Sequence, residues 1–307
     1  MNTDGVRADR SGGGPRGFLG RLALVLDMIQ FPHTLFALPF ALLATMLAAR
    51  GAPVPGFPGW RALLLILGCM VTARSAAMAY NRLADRRDDA DNPRTADRAL
   101  PAGLLTPRWV ALFTAVNGLL FLLLAALLNP LTGILAPLAL AWILAYSHAK
   151  RLFTGSHFIL GASLAIAPVG AWVAVRGTLA GAPWLLALAV VLWVGGFDTV
   201  YALQDLDFDR RRGLRSLAVA LGPAAALRVA ALCHLLMILV LATFAWRRSL
   251  GLPFGGGLVL ASLLLVWEHR VLRGGDLERI DLAFFRLNSA AGVVIFLAGG
   301  LDIVLSA

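Results

Sequence analysis

The chain has 307 residues, 59% of them hydrophobic and only 14% charged, with a mean hydropathy of +0.79. A water-soluble globule of this length is not so apolar, so the composition points to an all-α polytopic membrane protein. The net charge of +10 comes from arginines gathered beside the apolar segments, a bias that orients membrane proteins, and no nucleic-acid partner is expected.

Residues 1–16 are polar and Gly-rich and lack the apolar core and cleavage site of a signal peptide, which predicts a disordered cytoplasmic tail. Residues 17–307 then read as one transmembrane domain. Its first stretch, 17–31, mixes apolar positions with Arg21 and Asp27, as suits an interfacial helix leading into the first span. Nine spans come next, near 32–50, 61–81, 107–128, 131–148, 157–175, 184–203, 224–245, 254–272 and 282–305. Most are about 20 residues, enough to cross a hydrocarbon core of ~30 Å, and too long and evenly apolar for barrel strands.

Basic residues orient this bundle. Arg7, Arg10, Arg16 and Arg21 lie in the tail and its helix. Arg82, Arg86, Arg87, Arg94 and Arg98 follow span 2, and Arg210, Arg211, Arg212 and Arg215 follow span 6. The other side keeps only Arg50, Arg61, Arg176, Arg247 and Arg248. The N-terminus is therefore expected in the cytoplasm and the C-terminus across the bacterial plasma (inner) membrane. Small residues (Gly161, Ala162, Ser163, Gly170, Gly195 and Gly196) permit close helix approach, and Trp60, Trp109, Trp184 and Trp246 flank span ends as interfacial belts do. Cys69 and Cys233 lie within spans and form no ligand set.

Two acidic stripes carry the chemistry. One runs Asn81, Asp85, Asp89; the other runs Asp198, Tyr201, Asp205, Asp209. Residues three or four apart share a helix face, with successive acids about 6 Å apart along the axis. Of 17 acidic residues, five lie in 85–97 and four in 198–209. A carboxylate at membrane depth costs about 2.5–3.5 kcal/mol on insertion scales. Mg²⁺ relieves that cost, and its shell is usually completed by phosphate oxygens. Two acidic helices therefore suit a diphosphate clamped through Mg²⁺, with nearby arginines on the remaining phosphate oxygens. Surrounding apolar helices suit a hydrocarbon tail, so the substrate reads as a prenyl diphosphate whose leaving group is stabilised electrostatically.

Other positions are read more plainly. Asp88, Asp91, Asp97 and Asp207 point off the stripes, toward solvent or arginine partners. Asp198 lies deeper than its stripe-mates and is placed to orient or deprotonate an acceptor hydroxyl. Arg74, seven residues before Asn81 and deeper on the same face, needs an anion. An aromatic carboxylate acceptor or an aspartate of another helix would supply it. His33 and His157 begin spans and read first as helix-end hydrogen-bonding groups. Arg286 and Asn288 are placed to face the site, with interface anchoring as the alternative for Arg286.

The segments NRLADRRDDADNPRTADRALPAG at 81–103 and YALQDLDFDRRRGLRSLAVALG at 201–222 resemble the two signature regions of the UbiA superfamily of intramembrane prenyltransferases. PHTLFALPFAL at 32–42 and YSHAKRLFTGSHFILG at 146–161 are similar to further stretches of that family. The resemblance implies a nine-helix bundle, Mg²⁺ dependence and transfer of a polyprenyl group to an aromatic or related acceptor. It implies a first Mg²⁺-diphosphate site at Asn81, Asp85 and Asp89, and a second at Asp205 and Asp209 beside Tyr201. Lys150 and Arg151 fall on the family's diphosphate-contacting basic pair. Arg82 stands where many members carry aspartate, which resembles a branch linked to menaquinone precursors. The competing acceptors are therefore 4-hydroxybenzoate and a dihydroxynaphthoate, in ubiquinone or menaquinone synthesis. Relatives that prenylate haem, chlorophyllide or lipids are the next alternatives. A cation-coupled transporter fits poorly, because both stripes lie near one membrane face. Nor does a CDP-alcohol phosphotransferase fit, since its acids would share one compact motif.

Overall fold

The computed structural model describes residues 17–28, 36–272 and 282–306. The tail expected at 1–16 and His33 lie outside the described residues. The helices are α1 (Phe18–Met28), α2 (Leu38–Ala48), α3 (Trp60–Asp91), α4 (Pro107–Leu128), α5 (Pro130–Ala145), α6 (Ala149–Leu152), α7 (Ser156–Arg176), α8 (Trp184–Tyr201), α9 (Leu206–Arg212), α10 (Leu217–Leu221), α11 (Pro223–Arg247), α12 (Leu252–Leu272) and α13 (Asn288–Leu305). No strand occurs among the described residues. Eight helices are long and apolar enough to cross a membrane, and α2 adds a shorter apolar one. The nine-span expectation is matched in this sense, and the chain is an integral membrane protein.

Local sequence explains where the helices begin. Thr106 accepts a hydrogen bond from Trp109 N–H at 3.3 Å, with Pro107 opening α4. Asn129 accepts from Thr132 N–H at 2.9 Å, with Pro130 opening α5. Each such cap contributes about 1 kcal/mol. The Asn129 amide also donates to the carbonyls of Val173 and Ala174, which ties the α4–α5 turn to the end of α7.

Packing is set by the small residues. A Cβ on Gly161 would fall 2.6 Å from the carbonyl oxygen of Val191, so α7 and α8 meet backbone to backbone there. Gly196 likewise lies against the His234 ring and brings α8 onto α11. Gly170, in contrast, has nothing within 4 Å of its Cβ position and lines a cavity instead. The core centres on Phe36, Phe40, Trp193 and Phe197, with the Phe40 and Trp193 rings 5.0 Å apart. Leu119, Ile134, Leu138 and Leu252 point outward and stay exposed, as a lipid-facing surface requires.

One boundary differs from expectation, and one span changes its winding. The apolar pattern ends span 2 near 81, yet α3 runs unbroken to Asp91. Residues 82–91 hold no breaker, and their acids are countered by cations, so the helix continues past its apolar part. The fourth span reaches Leu152 but changes winding on the way: α5 runs to Ala145, a 3₁₀ turn covers Tyr146–His148, and α6 continues to Leu152 with Lys150 and Arg151 meeting Asp85 of α3.

Candidate active site

The polar end of α3 supplies the first motif. Asp85 and Asp89 are buried, although the apolar part of the helix has already ended. Asn81 Nδ2 donates to Asp85 Oδ2 at 3.2 Å, across one turn. Lys150 Nζ lies 3.2 Å from Asp85 Oδ2, and Arg151 reaches both Asp85 Oδ1 at 2.8 Å and Asp88 Oδ2 at 2.7 Å. Arg98 holds Asp89 Oδ1 at 2.7 Å, while Asp89 Oδ2 is buried with no hydrogen-bond partner. The basic pair thus meets the first motif.

The second motif is bent rather than straight. Residues 202–205 wind as a 3₁₀ turn between α8 and α9, so a uniform 3.6-residue period does not hold across 198–209. This corrects the single continuous stripe: Asp198 and Asp205 take different partners. Asp198 Oδ2 lies 2.7 Å from His157 Nδ1. Asp205 accepts from Asn92 Nδ2 and from Arg94 Nε, each at 2.9 Å, and pairs with a second Arg94 nitrogen. Arg94 also donates to the Tyr201 hydroxyl at 3.2 Å and lies over that ring. Burial works against the Arg94 charge, but its bonds to Asp205 and the nearby Tyr201 outweigh that and push its pKa above the usual guanidinium value. Asp209, one turn beyond Asp205, has no ion pair among the described residues and lies within electrostatic reach of Lys150.

The two motifs are joined physically. Arg94 follows the first motif yet grips the second. The Arg215 backbone N–H donates to the Lys150 carbonyl, and its guanidinium donates to that of Leu152, each at 2.8 Å. Off-stripe acids behave as expected: Asp88 pairs with Arg151, Asp91 pairs with Arg212, and Asp97 and Asp207 are exposed. Arg82 donates to the Met28 carbonyl of α1 at 3.4 Å and stays within electrostatic reach of Asp89 and Asp85.

Beneath the motifs lies an apolar cavity of about 450 Å³ between α3, α4, α5, α7 and α8. Arg74, Met78 and Tyr146 mark its upper end, and Leu128, Thr132 and Trp184 its lower end. From Thr132 to Tyr146 the wall rises about 21 Å at helical pitch. Arg74 borders this space, its Nε is buried without a hydrogen-bond partner, and no aspartate pairs with it among the described residues.

A family model described as the UbiA prenyltransferase family matches residues 37–290. The chain belongs to this family. A 4-hydroxybenzoate octaprenyltransferase of Albidiferax ferrireducens is 33% identical over 278 residues, covering 90% of this chain and 92% of the relative. One of Aeromonas hydrophila is 34% identical, over 86% and 89%. The apo structure of a UbiA homolog from Aeropyrum pernix K1 is 34% identical with a TM-score of 0.79, covering 89% of this chain and 98% of that one. A UbiA homolog from Archaeoglobus fulgidus bound to GPP and Mg²⁺ is 18% identical with a TM-score of 0.64, covering 92% and 99%, and shares the fold. This UbiA-family protein is accordingly a prenyltransferase enzyme, a transferase of alkyl groups other than methyl.

Several residues of this prenyltransferase's polar centre escape a reading by spacing. Asn92 and Arg94 follow the first motif in the run NPRT, where Arg94 counts only as one more cytoplasmic arginine. Tyr146 lies within electrostatic reach of Asp198, Asp85, Arg82 and Arg74, but sits in an apolar run that reads as the end of a span. His157 pairs with Asp198 across 41 positions, a separation with no local signal.

The donors fit Mg²⁺ as a partner of phosphate rather than as a caged ion. No cluster of three His, Cys, Asp or Glu able to hold a metal occurs among the described residues. Mg²⁺ needs none, since one or two carboxylates plus phosphate oxygens complete its shell. Asp89 Oδ2, buried and unbonded, is an oxygen donor of the right kind. Six acids (Asp85, Asp88, Asp89, Asp198, Asp205 and Asp209) stand among Arg74, Arg82, Arg94, Arg98, Lys150 and Arg151. A site so balanced suits an anion that brings its own cation.

Proposed function

We propose that the enzyme transfers a polyprenyl group from a polyprenyl diphosphate to an aromatic carboxylate, with Mg²⁺ as cofactor. The observation that carries this reading is Arg74: an unpartnered guanidinium nitrogen at the polar end of an apolar cavity, below two acid motifs. Asn81, Asp85 and Asp89 on one side, and Asp205 and Asp209 on the other, would hold Mg²⁺. When bound, the metal neutralises charge on the departing diphosphate. Lys150 and Arg151 contact the phosphate oxygens, and Arg94 fixes Asp205 and Tyr201 in place. The cavity below takes the hydrocarbon chain and keeps water from the allylic carbon. Arg74 holds the acceptor carboxylate with both arms of its fork, and Asp198 takes the acceptor's hydroxyl proton.

The names of the curated relatives favour 4-hydroxybenzoate, and Arg82 favours a dihydroxynaphthoate. In this reading the enzyme works in respiratory quinone synthesis at the bacterial plasma membrane. Residues 17–307 form its single domain, the site faces the cytoplasm, and the C-terminus lies on the opposite side. The test supplies membranes holding the enzyme with Mg²⁺, radiolabelled geranyl diphosphate and either 4-hydroxybenzoate or 1,4-dihydroxy-6-naphthoate, with EDTA as blank. Mg²⁺-dependent label on one of them is the expected result. Label on neither, with a haem or lipid acceptor labelled instead, overturns the aromatic-carboxylate reading.

A further inference from the structure

His157 is the first-turn residue of α7, is 3% exposed, and takes part in two contacts that assign its proton. Its Nε2 faces the backbone N–H of Leu217 at 3.4 Å. A backbone N–H only donates, so Nε2 is the acceptor and the ring proton sits on Nδ1. Nδ1–H therefore donates to Asp198 Oδ2 at 2.7 Å. The Asp198 side chain keeps 23% exposure where the imidazole keeps 4%. The ring stands behind the carboxylate, and no described residue bonds Oδ1. Leu217 opens α10, in the segment after Asp205 and Asp209.

We propose that His157 is a positioning residue for the transfer: its Nδ1–H holds Asp198 Oδ2 so that Oδ1 is presented to the acceptor hydroxyl. Its Nε2 bond to Leu217 tethers that base to the segment after the second motif. This deepens the reading of Asp198 given above and rests on it. In the step, the O–H bond of the acceptor breaks and its proton passes to Asp198 Oδ1. The ring carbon beside that oxygen bonds to the allylic carbon as the C–O bond to diphosphate breaks, its electron pair leaving with diphosphate. The proton of that ring carbon returns to the oxygen, so the hydroxyl is restored and Asp198 carries the one proton released. A carboxylate free to rotate would offer either oxygen in many orientations, so fixing Oδ2 raises turnover rather than affinity.

The two ring nitrogens can be tested separately, because asparagine replaces an N–H near the Nδ1 position and glutamine a group near Nε2. In the full-length enzyme, H157N should keep kcat within about threefold, while H157Q and H157A lose about 10- to 100-fold. The KM for geranyl diphosphate should not move in any of the three. H157Q at wild-type kcat, or a rise in that KM matching the loss of kcat, overturns the role of His157. D198N is the control for the underlying reading: if it keeps wild-type kcat, Asp198 is not the base and the inference falls with it. A second measurement needs no turnover. Ring ¹⁵N shifts of the five histidines in nanodiscs, assigned through H157Q, should show the Nδ1–H tautomer at His157. An Nε2–H tautomer there overturns the proposal.

Discussion

Replacing Arg74 with leucine isolates the acceptor clamp. Its guanidinium borders the cavity, its Nε has no protein partner, and no carboxylate pairs with it among the described residues. Removing it therefore leaves no buried protein charge stranded. What is lost is a two-armed bond to a substrate carboxylate, worth about 2–4 kcal/mol for charge-assisted hydrogen bonds in a dry site. That converts to a rise of about 30- to 1,000-fold in the acceptor KM. Thermal stability should hold or increase, because an arginine at membrane depth costs about 2.5–3.5 kcal/mol on insertion scales. The assay measures KM for geranyl diphosphate, for the carboxylated acceptor and for the same phenol without its carboxylate, in wild type and Arg74→Leu. Wild type should prefer the carboxylated acceptor by the full factor, and the variant should lose the preference with its diphosphate KM unchanged. An unaltered preference refutes the clamp, and a collapse in stability shows that Arg74 supports the bundle instead.

Asp85→Asn and Asp205→Asn should each remove transfer by more than about 100-fold while the protein still inserts; full activity in either sinks the two-site arrangement. EDTA should stop wild-type turnover, and added Mg²⁺ should restore it. Arg94→Ala should lower kcat at least tenfold and cost about 1–2 kcal/mol in a denaturation assay. That figure is discounted because the Arg94 side chain is 34% exposed; unchanged kinetics would show that Asp205 does not need the grip. Ala139→Phe fills the cavity wall below Tyr146, so turnover with long polyprenyl diphosphates should fall more than about tenfold relative to geranyl diphosphate. Equal losses for both chain lengths would place the tail elsewhere.

The bundle was legible because long apolar runs permit little besides spans, and the acids were legible because they recur at helical spacing beside arginines. Lys150 and Arg151 became meaningful only through resemblance, since a basic pair after an apolar run reads equally as an interfacial anchor. The partners of the acids were hidden for a different reason. Arg94 reaches Asp205 across 111 positions and His157 reaches Asp198 across 41. Tertiary pairing leaves no periodic trace in a single chain. The bend at 202–205 was also invisible: ALQD carries no proline or glycine, and its departure from α-helix comes with the tight fit of Asp205 against Asn92 and Arg94.

The order in which the ribosome delivers these pairs sets the order in which the polar centre can close. Asp89 meets Arg98 nine residues later, so that pair is complete before α4 is made. Asp85 must wait for Lys150 and Arg151, and a nascent chain that stops after α4 carries this carboxylate with Asn81 alone. Asp205, by contrast, emerges to find Arg94 already in place. The head region thus closes in stages: Lys150 and Arg151 of α6 counter Asp85 and Asp88 before the second motif arrives on α8 and α9, and Asp91 waits for Arg212. Loss of the α6 cations should show first as a chain that inserts poorly, before it shows as an enzyme that turns over slowly.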